Sequence, residues 1–252
     1  MEDLKIFDRI LQLDSLKPSK KTNDVFSDLV KFCEQNNDIS LKKPQIQKLR
    51  ELSSVAEYEM EVFWAEKILN SKDTNKELEK FWYYRNYEQL VDLEYVNVVC
   101  LYKNIKNILF IGGGPLPLTA ILLCKKYGLS CTILERDLAS YNTSVKLLEK
   151  LNLSRKIKVL NIDAENYSRY NTFNLIYLAA MVGEDEATKS SIISTVYTKL
   201  QKGKLLLCRS SHGTRKLLYT PIAKKLLKEV NPILEVRPYN SIINSFFILQ
   251  KT

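Results

Sequence analysis

The residues best suited to chemistry fall in four short stretches and at two strand ends of the 252-residue chain. In EYEMEVFWAEK, Glu57 and Glu61 stand one helical turn apart, so on a helix they share a face. Such a pair is either a solvated surface feature or, beside Phe63, Trp64 and Ala65, part of a working site. FWYYRNYEQLVDLEY packs Phe81, Trp82, Tyr83, Tyr84 and Tyr87 into seven residues. Four consecutive aromatics cannot all face one side of a helix, so some must line a cavity or an interface. RSSHGTRKLLY carries Arg209, His212 and Arg215 just after a strand-like run. Guanidinium groups suit a carboxylate, which accepts two parallel charge-assisted hydrogen bonds; the alternative is an ordinary basic loop.

The fourth stretch, FIGGGPLPLT (Phe110 to Thr119), decides which ligand these groups would serve. A buried run, NILFI, leads into Gly112, Gly113 and Gly114, which let the backbone bend and a ligand approach without a Cβ in the way. A dinucleotide would rest its pyrophosphate on backbone N–H groups at the start of the next helix. Pro115 and Pro117 remove two of those donors. In a first helical turn they cost little, because the N–H groups there lack intrahelical partners anyway. S-adenosylmethionine carries no phosphate; it needs room for a nucleoside and a methionine tail, and an acid for the ribose hydroxyls. Glu135, about 20 residues beyond Gly112, stands near the spacing of a ribose-binding carboxylate. Asp163 ends the next strand-like run, within reach of an adenine amino group. NAD, or no ligand at all, is the competing reading of the turn.

Two kinds of secondary structure must position these groups. Up to about Lys103 the apolar residues recur at three- and four-residue steps, as in IFDRILQLDSL and VFSDLVKFCEQN. All 7 glycines lie at or after position 112, so residues 1–103 read as a glycine-free helical bundle. Residues 104–252 alternate short apolar runs with amphipathic segments, which fits a mostly parallel sheet with helices on both faces. A helix is expected after Pro221, followed by ILEVRPY and SFFILQ as an antiparallel pair closing one edge.

Composition narrows the function classes. No apolar run reaches membrane-spanning length and the acidic start is no signal peptide, so a cytoplasmic protein is expected. The 5 cysteines show no C-x-x-C spacing and there is one histidine, which argues against a disulfide frame or a metal cluster. The net charge of +9 is scattered without a long basic arm, so small-molecule partners are expected ahead of nucleic acid. Monomer and homodimer both remain open.

FIGGGPLPLT, LAAMVG and RSSHGTRKLLY, with YRNYEQLVDLEY upstream, resemble nicotianamine synthase and its archaeal relatives. The likeness runs from about Ala56 to Pro221, and the PLPLT extension with the HGxRxxLY block makes it specific. The connector Ser71 to Lys76 and the carboxyl end are shorter than in the plant proteins. The resemblance implies a Rossmann-like sheet of the class I methyltransferase type, beside a helical bundle forming part of the active-site cavity. It implies transfer of the 3-amino-3-carboxypropyl group of S-adenosylmethionine, as substrate, to an amine, with release of 5′-methylthioadenosine and no metal. By this likeness Glu61 is the essential base and Tyr87 its assistant. A buried carboxylate with a raised pKa can take the proton of an amine. Gly112, Gly113, Gly114, Pro115, Glu135, Asp163, Ala164 and Ala179 are expected to hold the donor. Tyr84, Arg209, His212 and Arg215 are expected on the substrate side, with the arginines as a cationic lining for product carboxylates. A methyltransferase, possible on RNA given the charge, and a non-catalytic ligand-binding scaffold are the alternatives.

Overall fold

A computed structural model describes residues 1–252. Five helices come first: α1 (Glu2–Leu11), α2 (Lys20–Gln35), α3 (Lys43–Leu69), α4 (Thr74–Glu79) and α5 (Tyr84–Leu101). Ser19 and Asp73 cap α2 and α4 by accepting from the N–H groups of Thr22 and Lys76. Pro44 opens α3, where its missing N–H costs nothing. Along α3 the buried residues Leu49, Ser53, Ala56, Met60, Trp64 and Ile68 recur at steps of three and four, and Glu61 is buried on the same side.

Strands and helices then alternate: β1 (Asn107–Ile111), α6 (Leu118–Tyr127), β2 (Ser130–Glu135), α7 (Leu138–Lys150), β3 (Ile157–Asn161), β4 (Leu175–Leu178), α8 (Glu186–Lys199), β5 (Leu205–Ser210), β6 (Pro232–Val236) and β7 (Ser245–Gln250). The seven strands lie in the order β3-β2-β1-β4-β5-β7-β6. The first five pair in parallel, and β7 and β6 close the edge in antiparallel register. This is the mostly parallel sheet with an antiparallel edge pair expected from the alternating runs, and it has the methyltransferase-type form that the resemblance implies. Chain order reverses between β1 and β4, which opens a crevice at their carboxyl ends.

Two expectations are corrected. The segment after Pro221 forms turns and a single 3₁₀ turn, Leu226–Lys228, instead of an α-helix. Bounded by Pro221 and Pro232, it is too short to sustain a helix alone, and it spends Ile222, Leu226 and Val230 on the sheet's core. Helix α6 begins at Leu118 with Pro117 as its cap, so Pro115 lies in the preceding bend and neither proline is in the first helical turn.

Two cores flank the sheet. One joins Ile108, Phe110, Ile133 and Tyr177 to α6 and α7, and also to Trp64, Ala65 and Ile68 of α3 and Val91 and Val98 of α5. The other packs Leu109, Ile111, Ile176 and Leu206 against Ile193 and Val196 of α8. A third core holds α1, α2 and the first half of α3, and takes in Leu217 from the other half of the chain. Helix α3 thus belongs to two cores, and its middle, around Glu57 and Glu61, is carried over the carboxyl ends of the strands. No helix is long and apolar enough to cross a membrane.

Candidate active site

A cavity of about 280 Å³ sits at the β1–β4 crevice. The strand ends contribute Gly112, Gly113, Gly114, Glu135, Asp163, Ala164 and Ala179; the helical half contributes Glu57, Tyr58, Glu61 and Tyr87. Gly112 and Gly114 have φ of 85° and 64°, a region that side chains avoid. A Cβ on Gly114 would stand 2.5 Å from Oε2 of Glu61, and one on Gly112 2.4 Å from Cγ2 of Val182. The third glycine therefore makes room for a carboxylate delivered from α3. Glu135 ties the corner from below: its Oε2 accepts from the Gly114 N–H at 2.8 Å and its Oε1 from the Asp137 N–H at 2.9 Å. Asp163 accepts from the Glu165 N–H through Oδ1, at 2.9 Å.

Glu61 is buried, 7% exposed, and its Oε2 has no hydrogen-bond partner. Burial first, then the charges of Glu57 and Glu135, push its carboxyl well above the usual carboxylate range; the Leu116 N–H opposes them. Glu57 is gripped instead. Tyr219 donates its hydroxyl to Oε2 at 2.9 Å, and Tyr87 makes a long hydrogen bond to Oε1 at 3.5 Å. Burial still raises Glu57, against both hydroxyls and the charge of Arg209.

Glu57, Tyr87, Tyr219 and Asn244 also form one wall of a second chamber, of about 150 Å³, reaching toward α2. Three buried polar atoms in its lining are unpartnered: Asn23 Oδ1, Ser53 Oγ and Asn244 Nδ2. Buried polar atoms left this way are costly and mark a place where a polar ligand or water completes the bonding.

The sequence model described as "Nicotianamine synthase protein" matches residues 2–252. The chain belongs to the nicotianamine synthase family. It is similar to nicotianamine synthase 3 of Arabidopsis thaliana, 30% identical over 265 residues, 98% of this chain and 81% of that protein. The nicotianamine synthase of Solanum lycopersicum is 29% identical over 257 residues, again 98% and 81%. Among solved structures, MtNAS in complex with MTA and tNA matches with a TM-score of 0.87 at 19% identity, covering 99% of this chain and 97% of that one. At that identity the likeness speaks for the fold alone.

Within this nicotianamine synthase fold, most of the expected donor-side residues meet in one place, whereas the expected substrate side is largely displaced. Pro115 is buried and does not line the cavity; Leu116 and Pro117 do. Tyr84 lines neither chamber: it turns toward Glu79, Glu88 and Lys126, while Tyr83 and Tyr87, four apart, share the inner face. Arg209 lines the cavity, but buried Glu94 takes its Nε at 2.8 Å and Nη2 at 2.9 Å, and Thr119 Oγ1 also accepts from Nη2. Only Nη1 makes no bond within the protein, so Arg209 brings no free fork for a substrate carboxylate. His212 and Arg215 lie outside both chambers. The 3₁₀ turn Gly213–Leu217 is pinned to α2 by Thr214, whose hydroxyl is bonded to the carbonyls of Cys33 and Asn36, and this swings both side chains away. His212 meets the Tyr239 ring edge-on, and Arg215 donates to the Asn240 carbonyl. Of the two arginines expected as a cationic lining, only Arg209 reaches the cavity. Six carboxylates (Glu57, Glu61, Glu135, Asp137, Asp163, Glu184) face Arg136 and the already paired Arg209. Glu94, Tyr219 and Asn244 are not singled out by the sequence reading; Tyr219 closes the HGxRxxLY block and Glu94 lies in YRNYEQLVDLEY, whereas nothing local marks Asn244.

Proposed function

We propose that this nicotianamine synthase family member moves the 3-amino-3-carboxypropyl group of S-adenosylmethionine to an amine, releasing 5′-methylthioadenosine and building a nicotianamine-type chelator. The observation that carries the reading is the unpartnered, buried Oε2 of Glu61 at the Gly114 corner. In the transfer a C–N bond forms as the C–S bond breaks, and sulfur leaves with the electron pair as a neutral thioether. The chain's task is to bring up an uncharged amine and to take its proton. An α-ammonium titrates far above an ordinary carboxylate, so a Glu61 raised by burial narrows the gap for proton transfer. Tyr87, beside the same carboxylate pair, orients the amine.

The acidic lining suits the donor in the same way. A sulfonium and an ammonium are both favoured among carboxylates, and Arg209 adds little repulsion because Glu94 answers its charge. Both oxygens of Glu135 keep a lone pair for ribose hydroxyls beside their backbone bonds, and Asp163 Oδ2 is free for the adenine amino group. The amine acceptor enters from the second chamber, over the Glu57–Tyr87 wall. In this reading residues 1–103 act as the unit that closes the site, with α3 delivering the base.

Mass spectrometry of the chain incubated with S-adenosylmethionine alone, and then with added amino acids, tests the reading. Methylthioadenosine together with an aminocarboxypropylated amine is expected. S-adenosylhomocysteine in their place would assign the protein as a methyltransferase, and neither nucleoside product would leave a binding protein.

A further inference from the structure

Lys189, in the first turns of α8, is completely buried, yet no carboxylate pairs with it. Its Nζ donates to the Ala180 carbonyl at 2.6 Å and to the Thr220 carbonyl at 3.2 Å. Burial pulls the ammonium down to about 8, with Cys208 opposing and Arg50 adding to the effect. The position is costly twice over, since a charge is desolvated and a cation stands near the positive end of a helix. An apolar side chain would avoid both costs.

Its two partners explain the lysine. Ala180 belongs to the loop 179–184, which lines the donor cavity after β4. Thr220 follows Tyr219, whose hydroxyl holds Glu57. The same two segments are tied again by the Thr220 hydroxyl, which donates to the Glu184 carbonyl. Gly183 completes the fit: it has φ of 85°, and a Cβ there would stand 2.5 Å from the Lys189 Cα, so the loop lies directly on the helix. We infer that Lys189 is a positioning residue for the transfer, clamping the donor-side loop to the Tyr219 segment and so setting Tyr219 against Glu57. The inference rests on the transferase reading above.

The test is Lys189→Met in the full chain, assayed for methylthioadenosine release beside the unaltered protein. A kcat about tenfold lower is expected, the scale of a lost hydrogen bond to a charged group. Folding should change little. The ammonium no longer has to be desolvated while two carbonyls lose a donor, and these oppose each other, so Tm should stay within about 4 °C. Because Lys189 acts through Tyr219, adding Lys189→Met to Tyr219→Phe should lower kcat by less than about twofold further. Wild-type kcat in Lys189→Met overturns the inference, and so do losses that multiply in the double variant. Where Lys189→Met does not fold, Lys189→Gln replaces the ammonium by a shorter, uncharged donor and should lower kcat in the same direction; wild-type kcat there is equally fatal. If the unaltered protein releases no methylthioadenosine, the transferase reading fails instead.

Discussion

The two chambers that meet at Glu57 are built from different chemistry. The donor cavity is a ring of carboxylates in a chain of net charge +9, with its innermost arginine already matched by Glu94. The adjoining chamber has largely apolar walls, with Leu16, Phe26, Val30, Met60 and Leu218. Its polar groups are chiefly the amides and hydroxyls of Asn23, Ser53, Asn86 and Asn244, some of them unbonded, with Glu34 as its one carboxylate beside the shared Glu57. The first can stabilise cations and move protons; the second can grip a polar chain without changing its charge. Only Glu57, Tyr87, Tyr219 and Asn244 see both sides, so in the proposed reaction the wall between them is where the amine meets Glu61.

Breaking the acidic side should have the largest effect. Glu61→Gln is expected to lower product formation by a factor of roughly 100 to 10,000, the usual worth of a general base, with affinity for S-adenosylmethionine nearly unchanged in a calorimetric titration. Full activity would remove the proposed mechanism and leave the fold intact. The same variant carries a pH signature. Glu61 has a raised folded-state pKa, so it binds more protons folded than unfolded, and its contribution to stability is lost as pH rises from the ordinary carboxylate range through that raised value. Glu61→Gln should abolish this loss in denaturant melts at several pH values.

Next in size, Glu94→Ala strands the buried Arg209 and should cost about 3–5 kcal/mol in urea unfolding. A loss below 1 kcal/mol would mean the pair is solvated. Tyr219→Phe removes a hydroxyl from Glu57 and should lower kcat about tenfold. The smallest effect is expected across the wall. Asn244→Ala should raise KM for the acceptor a few-fold and leave donor affinity alone. An equal loss of donor binding would merge the two chambers into one site.

Much of this was legible in the sequence, for definable reasons. Strands buried on both faces read as unbroken apolar runs, as in β5, where every residue is buried. The glycine corner was legible because positive φ demands glycine, and Glu57 with Glu61 because helical spacing puts them on one face. What failed depends on distant partners. Glu94 looks like any exposed helical glutamate until Arg209, 115 residues away, closes on it. His212 and Arg215 looked like mouth residues because they follow a strand, and only the packing of the 3₁₀ turn on α2 shows otherwise. Two local rules also yielded to packing: the prolines sit ahead of α6, and the apolar steps after Pro221 fill a core without forming a helix.

The clasp between Thr214 and α2 has a consequence for the earliest part of the chain. Thr214 is bonded to Cys33 and Asn36, Leu217 is sealed into the core of α1 and α2, and Tyr219 follows two residues later. Deleting the first forty residues would touch neither nucleoside nor base, yet it would unmoor the hydroxyl that steadies Glu57. A truncated enzyme should still capture its donor while turning over poorly.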